Sequence, residues 1–205
     1  MLFVTSAYSL LATIKALDQK VLLAVNHAHT PAVDALMVLS SNRLVWFPAY
    51  AMLLGWLIYL FRRHAWLLVP LLFATVGLAD SITSRVFKPF FARPRPCHDG
   101  LLVGLLHLPD GCGGQFGFLS SHAANSVALS VFLALVLPAG RFRALKWSVA
   151  VWALLLSYSR VYLAAHYPTD VLGGALIGAL LAWLAATLLK VWRQRPTSSP
   201  RAALR

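Results

Sequence analysis

Lys88, Arg95, Ser120, Ser121, His122, Arg160, His166 and Asp170 are the residues whose types and spacing are hardest to explain as packing. They fall in three short polar islands, 88–96, 120–122 and 159–170, within otherwise apolar sequence. Cations clustered with two imidazoles and a carboxylate suit the binding of an anion and the movement of protons on it. Charges at the ends of membrane segments are also costly enough to suggest a functional site.

Each island has its own chemistry. Lys88 stands seven residues before Arg95, with Pro89, Pro94 and Pro96 between or after, and this spacing predicts a stiff, extended turn rather than a helix. Arg95 can grip a phosphoryl group with two parallel hydrogen bonds while Lys88 acts as a point charge. A basic stretch that touches anionic head groups is the plainer reading. Ser120 precedes an apolar run and is placed to cap a helix, with His122 in its first turn and Ser121 as a further hydroxyl donor. Free N–H groups there form an anion site, unless the serine is only a cap and the histidine incidental. Pro168 suits the first position of another helix, so Asp170 lies in the first turn and can reach back to His166. A carboxylate on one ring nitrogen leaves the other as nucleophile or base. Arg160, six residues before His166, adds a cation; a capping Asp beside a bystander His is the alternative.

The elements that must position these groups are membrane helices. The chain has 205 residues, 60% hydrophobic and 12% charged, with a mean hydropathy of +0.72, too apolar for a soluble domain. The net charge of +12 is spread in runs too short for nucleic acid, so none is expected as a partner. Windows at 44–61, 65–83, 123–137, 145–163 and 171–192 meet or approach the length of a span, and the third can extend back to Ser120. The first 14 residues are apolar but short, and 21–41 carry Asn26, His27, His29, Pro31 and Asp34. Residues 1–43 are therefore expected to form interfacial helices, and no basic segment or small-residue site marks a cleaved signal peptide. The expected fold is an all-α integral membrane protein. It is a helical bundle of about five to six transmembrane helices with N-terminal interfacial helices, and its core domain spans 44–192. Residues 193–205 form a polar tail, expected to be disordered and cytoplasmic.

Arg62 and Arg63, then Arg141, Arg143 and Lys146, then Lys190, Arg193, Arg195, Arg201 and Arg205 fall on one side of a five-span arrangement, which the positive-inside rule makes cytoplasmic. All three islands then converge on the external face. Arg85, Lys88, Arg93, Arg95 and Arg160 lie on the wrong side for that rule, and an anionic ligand would explain them. Cys97 and Cys112 flank the external loop and read as a disulfide closing 16 residues, contributing on the order of 3 kcal/mol by loop-closure entropy. His98 and His107 lie nearby, but the spacing matches no common zinc motif and no metal is expected. Asp80, deep in the second span, calls for a partner such as Arg85 or a site cation, or else for a helix-packing hydrogen bond.

Taken together, Lys-x6-Arg-Pro at 88–96, Leu-Ser-Ser-His at 119–122 and Ser-Arg-x5-His-x3-Asp at 159–170 resemble the type 2 phosphatidic acid phosphatase (PAP2) family of membrane lipid phosphatases. That family's second block reads Pro-Ser-Gly-His; Leu119 and Ser121 depart from it. The resemblance implies a metal-independent mechanism in which His166 attacks phosphorus, Asp170 orients it, and His122 protonates the leaving oxygen and then activates water. Lys88, Arg95, Ser120, Ser121 and Arg160 would bind the phosphoryl oxygens. No cofactor is implied, and the partners are a lipid (pyro)phosphate and the bilayer. The short chain looks most like the bacterial undecaprenyl-diphosphatases, which implies undecaprenyl diphosphate as substrate, cell-wall lipid recycling, and an inner-membrane site facing the periplasm. Phosphatidylglycerophosphate, phosphatidate and lipid A phosphates are family substrates too. A non-enzymatic lipid-binding or transport role on the same fold is the alternative that the altered second block raises, and phosphotransfer to another lipid is a third, distinguished by its product.

Overall fold

The computed structural model describes residues 2–194, with side chains from residue 9 onward, as eight α-helices: α1 Leu2–His27, α2 Pro31–Ser41, α3 Phe47–Phe61, α4 Ala65–Ser81, α5 Lys88–Phe91, α6 Ser121–Val136, α7 Arg143–Tyr162 and α8 Pro168–Gln194. A π-helical turn, Ile82–Phe87, carries α4 directly into α5. Among the described residues the only β-pairing is one isolated bridge between Pro94 and Phe116. The fold is thus an all-helical membrane bundle.

Five helices, α3, α4, α6, α7 and α8, build the bundle. The α8 helix is long and apolar enough to cross a bilayer, and so is the stretch Arg43–Phe91 as a whole. That stretch folds back on itself at the turn Arg62–His64, since Leu57 of α3 and Leu72 of α4 share one core with Phe132, Leu133 and Leu189. The α6 helix is a shorter apolar helix of 16 residues, opening at Ser121 with Ser120 as its cap. Cations mark both ends of α7: Arg143 and Lys146 at one, Arg160 at the other.

Small residues set the closest approach in the bundle. A Cβ at Gly174 or Gly178 of α8 would overlap the backbone carbonyls of Ser120 and Ala124, so α8 and α6 pack backbone against backbone. Ala79, Ala124 and Ala128 continue this seam into α4. Membrane helices associate through such close packing because lipid removes the hydrophobic incentive to pair.

The two ends of the bundle differ. At one end Arg193 lies over the Phe61 ring at 5.5 Å, Trp66 meets Trp192 edge-on at 6.0 Å, and Lys146 Nζ donates to the carbonyls of Ala134 and Leu137 at 3.1 Å. The polar islands occupy the other. The α1 and α2 helices meet at a bend of 117°. Thr30 caps α2 there by accepting from Val33 N. From Asp18 onward the polar side chains of α1 reach the 92–120 loop and the α7–α8 turn: Gln19 donates to Asp99, Asn26 to the carbonyls of His107 and Tyr162, and His27 Nε2 lies 2.8 Å from the Leu105 carbonyl. The α8 helix is described to Gln194, and the rest of the tail expected from residue 193 lies outside the described residues.

Candidate functional site

The α7–α8 turn is the hub. His166 is 1% exposed and Asp170 0%. The His166 N–H donates to the Arg160 carbonyl at 3.0 Å, which locks the turn to the last turn of α7. Asp170 sits in the first turn of α8, where its Oδ2 accepts from Tyr167 N at 3.0 Å as a helix-start carboxylate does. The same oxygen lies 3.7 Å from His166 Nδ1, beyond hydrogen-bond length, and that nitrogen has no partner among the described residues. Asp170 is therefore an electrostatic neighbour of the imidazole, and its direct bonds go elsewhere. Burial, together with the charges of Arg95 and Arg160, holds the His166 ring well below the usual imidazole range, so it is neutral and has a free lone pair.

The strongest partner of Asp170 is one that sequence spacing does not single out. Arg93 NH1 donates to Asp170 Oδ1 at 2.7 Å and to Thr169 Oγ1 at 2.8 Å, while its NH2 donates to Asp18 Oδ2 at 2.7 Å. The guanidinium also stacks 4.2 Å from the centre of the Tyr167 ring. Thr169 in turn donates to Asp18 through its backbone N–H, at 3.0 Å, and its hydroxyl. Asp18, a lone carboxylate in the apolar α1, is the signal that could have revealed this anchor, since a buried charge demands a partner.

The first island departs from the expected extended turn. Lys88 to Phe91 are helical, and the chain becomes extended only after Ala92, which adopts a left-handed conformation at φ 44°. Pro89 follows directly on the π-turn, whose last bond runs from Lys88 N to Thr83 O, so the missing N–H falls where the helix changes its bonding pattern. The helix aims Lys88 Nζ at Ser121 Oγ, 3.3 Å away, and that hydroxyl also lies 3.0 Å from Thr83 Oγ1 and 2.9 Å from Ser84 Oγ. Arg95 is held by its backbone, whose N–H donates to Gln115 O at 3.0 Å, and by Nε donating to Phe116 O at 3.3 Å. Its side chain crosses Gly113 and Gly117; a Cβ at Gly117 would come within 3.2 Å of both Arg95 Cγ and Asp170 Oδ2. Cys97 and Cys112 are joined as a disulfide, Cα to Cα 5.8 Å, which closes the loop behind Arg95.

The second island meets the third through the glycine seam. Ser120 is fully buried; its N–H donates to the Asp170 carbonyl at 2.9 Å, and its Oγ accepts from Ala123 N at 3.4 Å. His122, half-buried beside it, lies within the electrostatic reach of Arg160, Arg43, His166 and Lys88. Arg160 is 8% exposed, donates to Ser41 at the end of α2, and keeps a buried Nε with no partner among the described residues. All eight candidate residues thus gather at one end of the bundle, and Arg43 is a further cation there. Among the described residues Asp80 makes no salt bridge, but its charge acts on Lys88 of the site, and Asn125 Nδ2 donates to its Oδ1 at 3.1 Å across α4 and α6. Two helices apart in sequence, that pairing has no local signature.

A cavity of about 620 Å3 leads away from the site between α3, α4, α6 and α7. Arg43, Asp80, His122 and Asn125 line its polar end; Leu57, Leu72 and Trp152 line the apolar remainder. This shape matches an amphiphile with an anionic head and a hydrocarbon chain.

Comparison with known proteins agrees with that chemistry. A family model described as the PAP2 superfamily matches residues 67–194. The lipid A 4'-phosphatase of Bacteroides thetaiotaomicron is 35% identical over 171 residues, which is 82% of this chain and 75% of that protein. The undecaprenyl-diphosphatase BcrC of Bacillus subtilis is 25% identical over 162 residues, 76% of this chain and 75% of that one. The crystal structure of Aquifex aeolicus LpxE superposes with a TM-score of 0.66 at 26% identity, covering 83% of this chain and 95% of that one. Of these two relatives the lipid A enzyme is the more similar, and the undecaprenyl-diphosphatase is the more distant.

Proposed function

The chain belongs to the PAP2 superfamily and is a membrane lipid phosphatase, and on that footing we propose that it removes a phosphate monoester from a lipid A-type glycolipid at the external face of the bacterial inner membrane. The observation that carries the reading is the apolar cavity with Arg43 and His122 at its polar end, His122 lying within the electrostatic reach of Arg160, His166 and Lys88. The higher identity to a lipid A 4'-phosphatase favours the glycolipid as substrate. The site's placement outside rests on the concentration of Arg62, Lys146 and Arg193 at the opposite end and on the disulfide at this one.

In this mechanism the His166 ring nitrogen turned away from Asp170 attacks phosphorus. The P–N bond forms as the bond from phosphorus to the lipid oxygen breaks, and His122 gives that oxygen its proton. Water, deprotonated by His122, then cleaves the P–N bond and frees inorganic phosphate and neutral His166. Arg95, Lys88 and the unpartnered Nε of Arg160 hold the phosphoryl oxygens as charge builds on them, assisted by Ser120 and the amides opening α6. Ser121 acts by seating Lys88. The Asp170 carboxylate stabilises the imidazolium character that develops on His166. Residues 1–43 form a collar over the bundle at the membrane interface, and 44–192 form the catalytic domain.

Undecaprenyl diphosphate is the second reading, because an undecaprenyl-diphosphatase is among the relatives and the apolar part of the cavity suits a prenyl chain. Phosphate release by the detergent-purified protein in EDTA, offered lipid A, undecaprenyl diphosphate, phosphatidylglycerophosphate and phosphatidate, separates the two. Fastest release from lipid A, abolished in His166→Ala, supports the proposal. A preference for undecaprenyl diphosphate transfers it to the second reading. Release unchanged in His166→Ala overturns the mechanism, and no release from any lipid by folded protein points to phosphotransfer or a binding role.

A further inference from the structure

Away from the phosphate site, His29, Asp34 and His107 bring three ligand atoms within 4.8 Å of one another. They come from three separate pieces of chain: the α1–α2 turn, the first turn of α2, and the 92–120 loop. His107 Nε2 lies 2.9 Å from Asp34 Oδ2, and the His29 and His107 rings stack at 3.8 Å with 13° between their planes. We propose that this cluster is a structural site for a divalent transition metal of the zinc class, which fastens the loop to the α1–α2 turn.

The donor set selects the metal. Two imidazoles and one carboxylate suit zinc, copper or nickel, whereas calcium and magnesium prefer oxygen alone. The 2.9 Å separation of the His107 and Asp34 donors fits two bonds of roughly 2.0–2.1 Å meeting at about a right angle, within the range of zinc sites. An imidazole binds a metal through an in-plane lone pair, so binding turns the exposed His29 ring out of its stack on His107.

The groups behind the ligands are already in place. Tyr162 donates its hydroxyl to Asp34 Oδ1 at 2.7 Å, which leaves Oδ2 turned towards the histidines. Asn26, 0% exposed, grips the His107 backbone from both sides: its Oδ1 accepts from His107 N at 2.9 Å and its Nδ2 donates to His107 O at 2.8 Å. Outer partners of this kind orient ligands in metal sites, and buried Asn26 and Tyr162 are an unusually costly way to fix an incidental surface histidine. Side-chain exposures of 32% for His107 and 18% for Asp34 leave an entry path. The nearby group of Cys97, His98 and Cys112 offers no comparable set, because both sulfurs are committed to the disulfide.

None of the three ligands belongs to the catalytic set, so the metal stabilises the collar and takes no part in phosphate transfer. The test uses tag-free, detergent-purified, disulfide-intact protein, stripped with EDTA, freed of chelator and titrated with ZnCl2 alone. One equivalent of zinc should bind by calorimetry and raise the melting temperature, with Co2+ substitution giving visible ligand-field absorption. His29→Ala, at an exposed position, should weaken zinc binding at least about tenfold while phosphate release stays at the wild-type rate. His107→Gln should do the same to binding. Failure of zinc to bind, or binding unchanged in both variants, would overturn the proposal.

Discussion

Arg93 NH1 lies 2.7 Å from Asp170 Oδ1, and this ion pair joins the proline-rich 92–96 segment to α8 just after the His166 turn. The same guanidinium holds Asp18 of α1 at 2.7 Å, so one side chain ties three segments together beneath His166. Arg93 is a positioning residue, since its donors are committed to Asp18, Thr169 and Asp170.

Arg93→Met should therefore leave Asp170 buried without its cation, at a cost of roughly 3 kcal/mol in stability. Thermal unfolding in detergent would show this as a lowered midpoint. The loss of a correctly held carboxylate should appear in kcat more than in KM, and Arg93→Lys should restore part of it. A variant with wild-type stability and turnover would show the pair to be idle.

The distinction between Arg93 and Arg95 shows where sequence reading stops. Both residues lie in one proline-rich stretch, and nothing local separates Arg95, proposed to hold phosphate, from Arg93, which grips Asp170. The bundle and the convergence of the islands are legible, because apolar length and basic-residue placement are properties of single segments. The proline spacing around Lys88 predicts extension, yet the π-turn runs on into a further helical turn that takes in Pro89, and extension begins only after Ala92. The Asp80–Asn125 bond depends on how α4 and α6 rotate against each other, and that is settled only by packing. Gly174 and Gly178 do carry a readable mark, the four-residue spacing of small residues in an apolar helix.

That spacing makes a sharp prediction. A methyl group at Gly174 would strike the Ser120 carbonyl, and one at Gly178 the Ala124 carbonyl, neither of which can move without shifting α6. Gly174→Ala should cost about 1–3 kcal/mol and lower turnover, because Ser120 N is also bonded to the Asp170 carbonyl. Gly55→Ala, where a Cβ meets nothing within 4 Å, is the matched control and should be silent in both assays.

The buried neutral state of His166 predicts the direction of two pH profiles. Its folded pKa lies well below the unfolded value of about 6.5, so the unfolded chain binds the extra proton first as pH falls. Stability is then fully present above about pH 6.5 and declines below it, and His166→Asn should flatten this part of the melting-temperature profile. In kcat/KM, the acid limb contributed by the nucleophile should lie below the ordinary imidazole range. An acid limb at or above about pH 6.5, unaffected by substituting His122, would mean that His166 is not held neutral.

The last prediction concerns the cavity, and it separates head-group binding from chain binding. Ala51 lines the cavity yet is exposed, so Ala51→Trp can fill space without disrupting the packed core. If the cavity receives the hydrocarbon chain, the substitution should lower kcat/KM for a long-chain lipid phosphate by about tenfold, or about 1.4 kcal/mol, and leave a short-chain soluble phosphate ester unaffected. Arg43→Gln acts at the polar mouth and should weaken both substrates alike, because it removes charge near His122 without changing the apolar volume. Equal effects of Ala51→Trp on long and short substrates would place the chain elsewhere, most simply in the surrounding bilayer, with the protein reading the phosphate head alone.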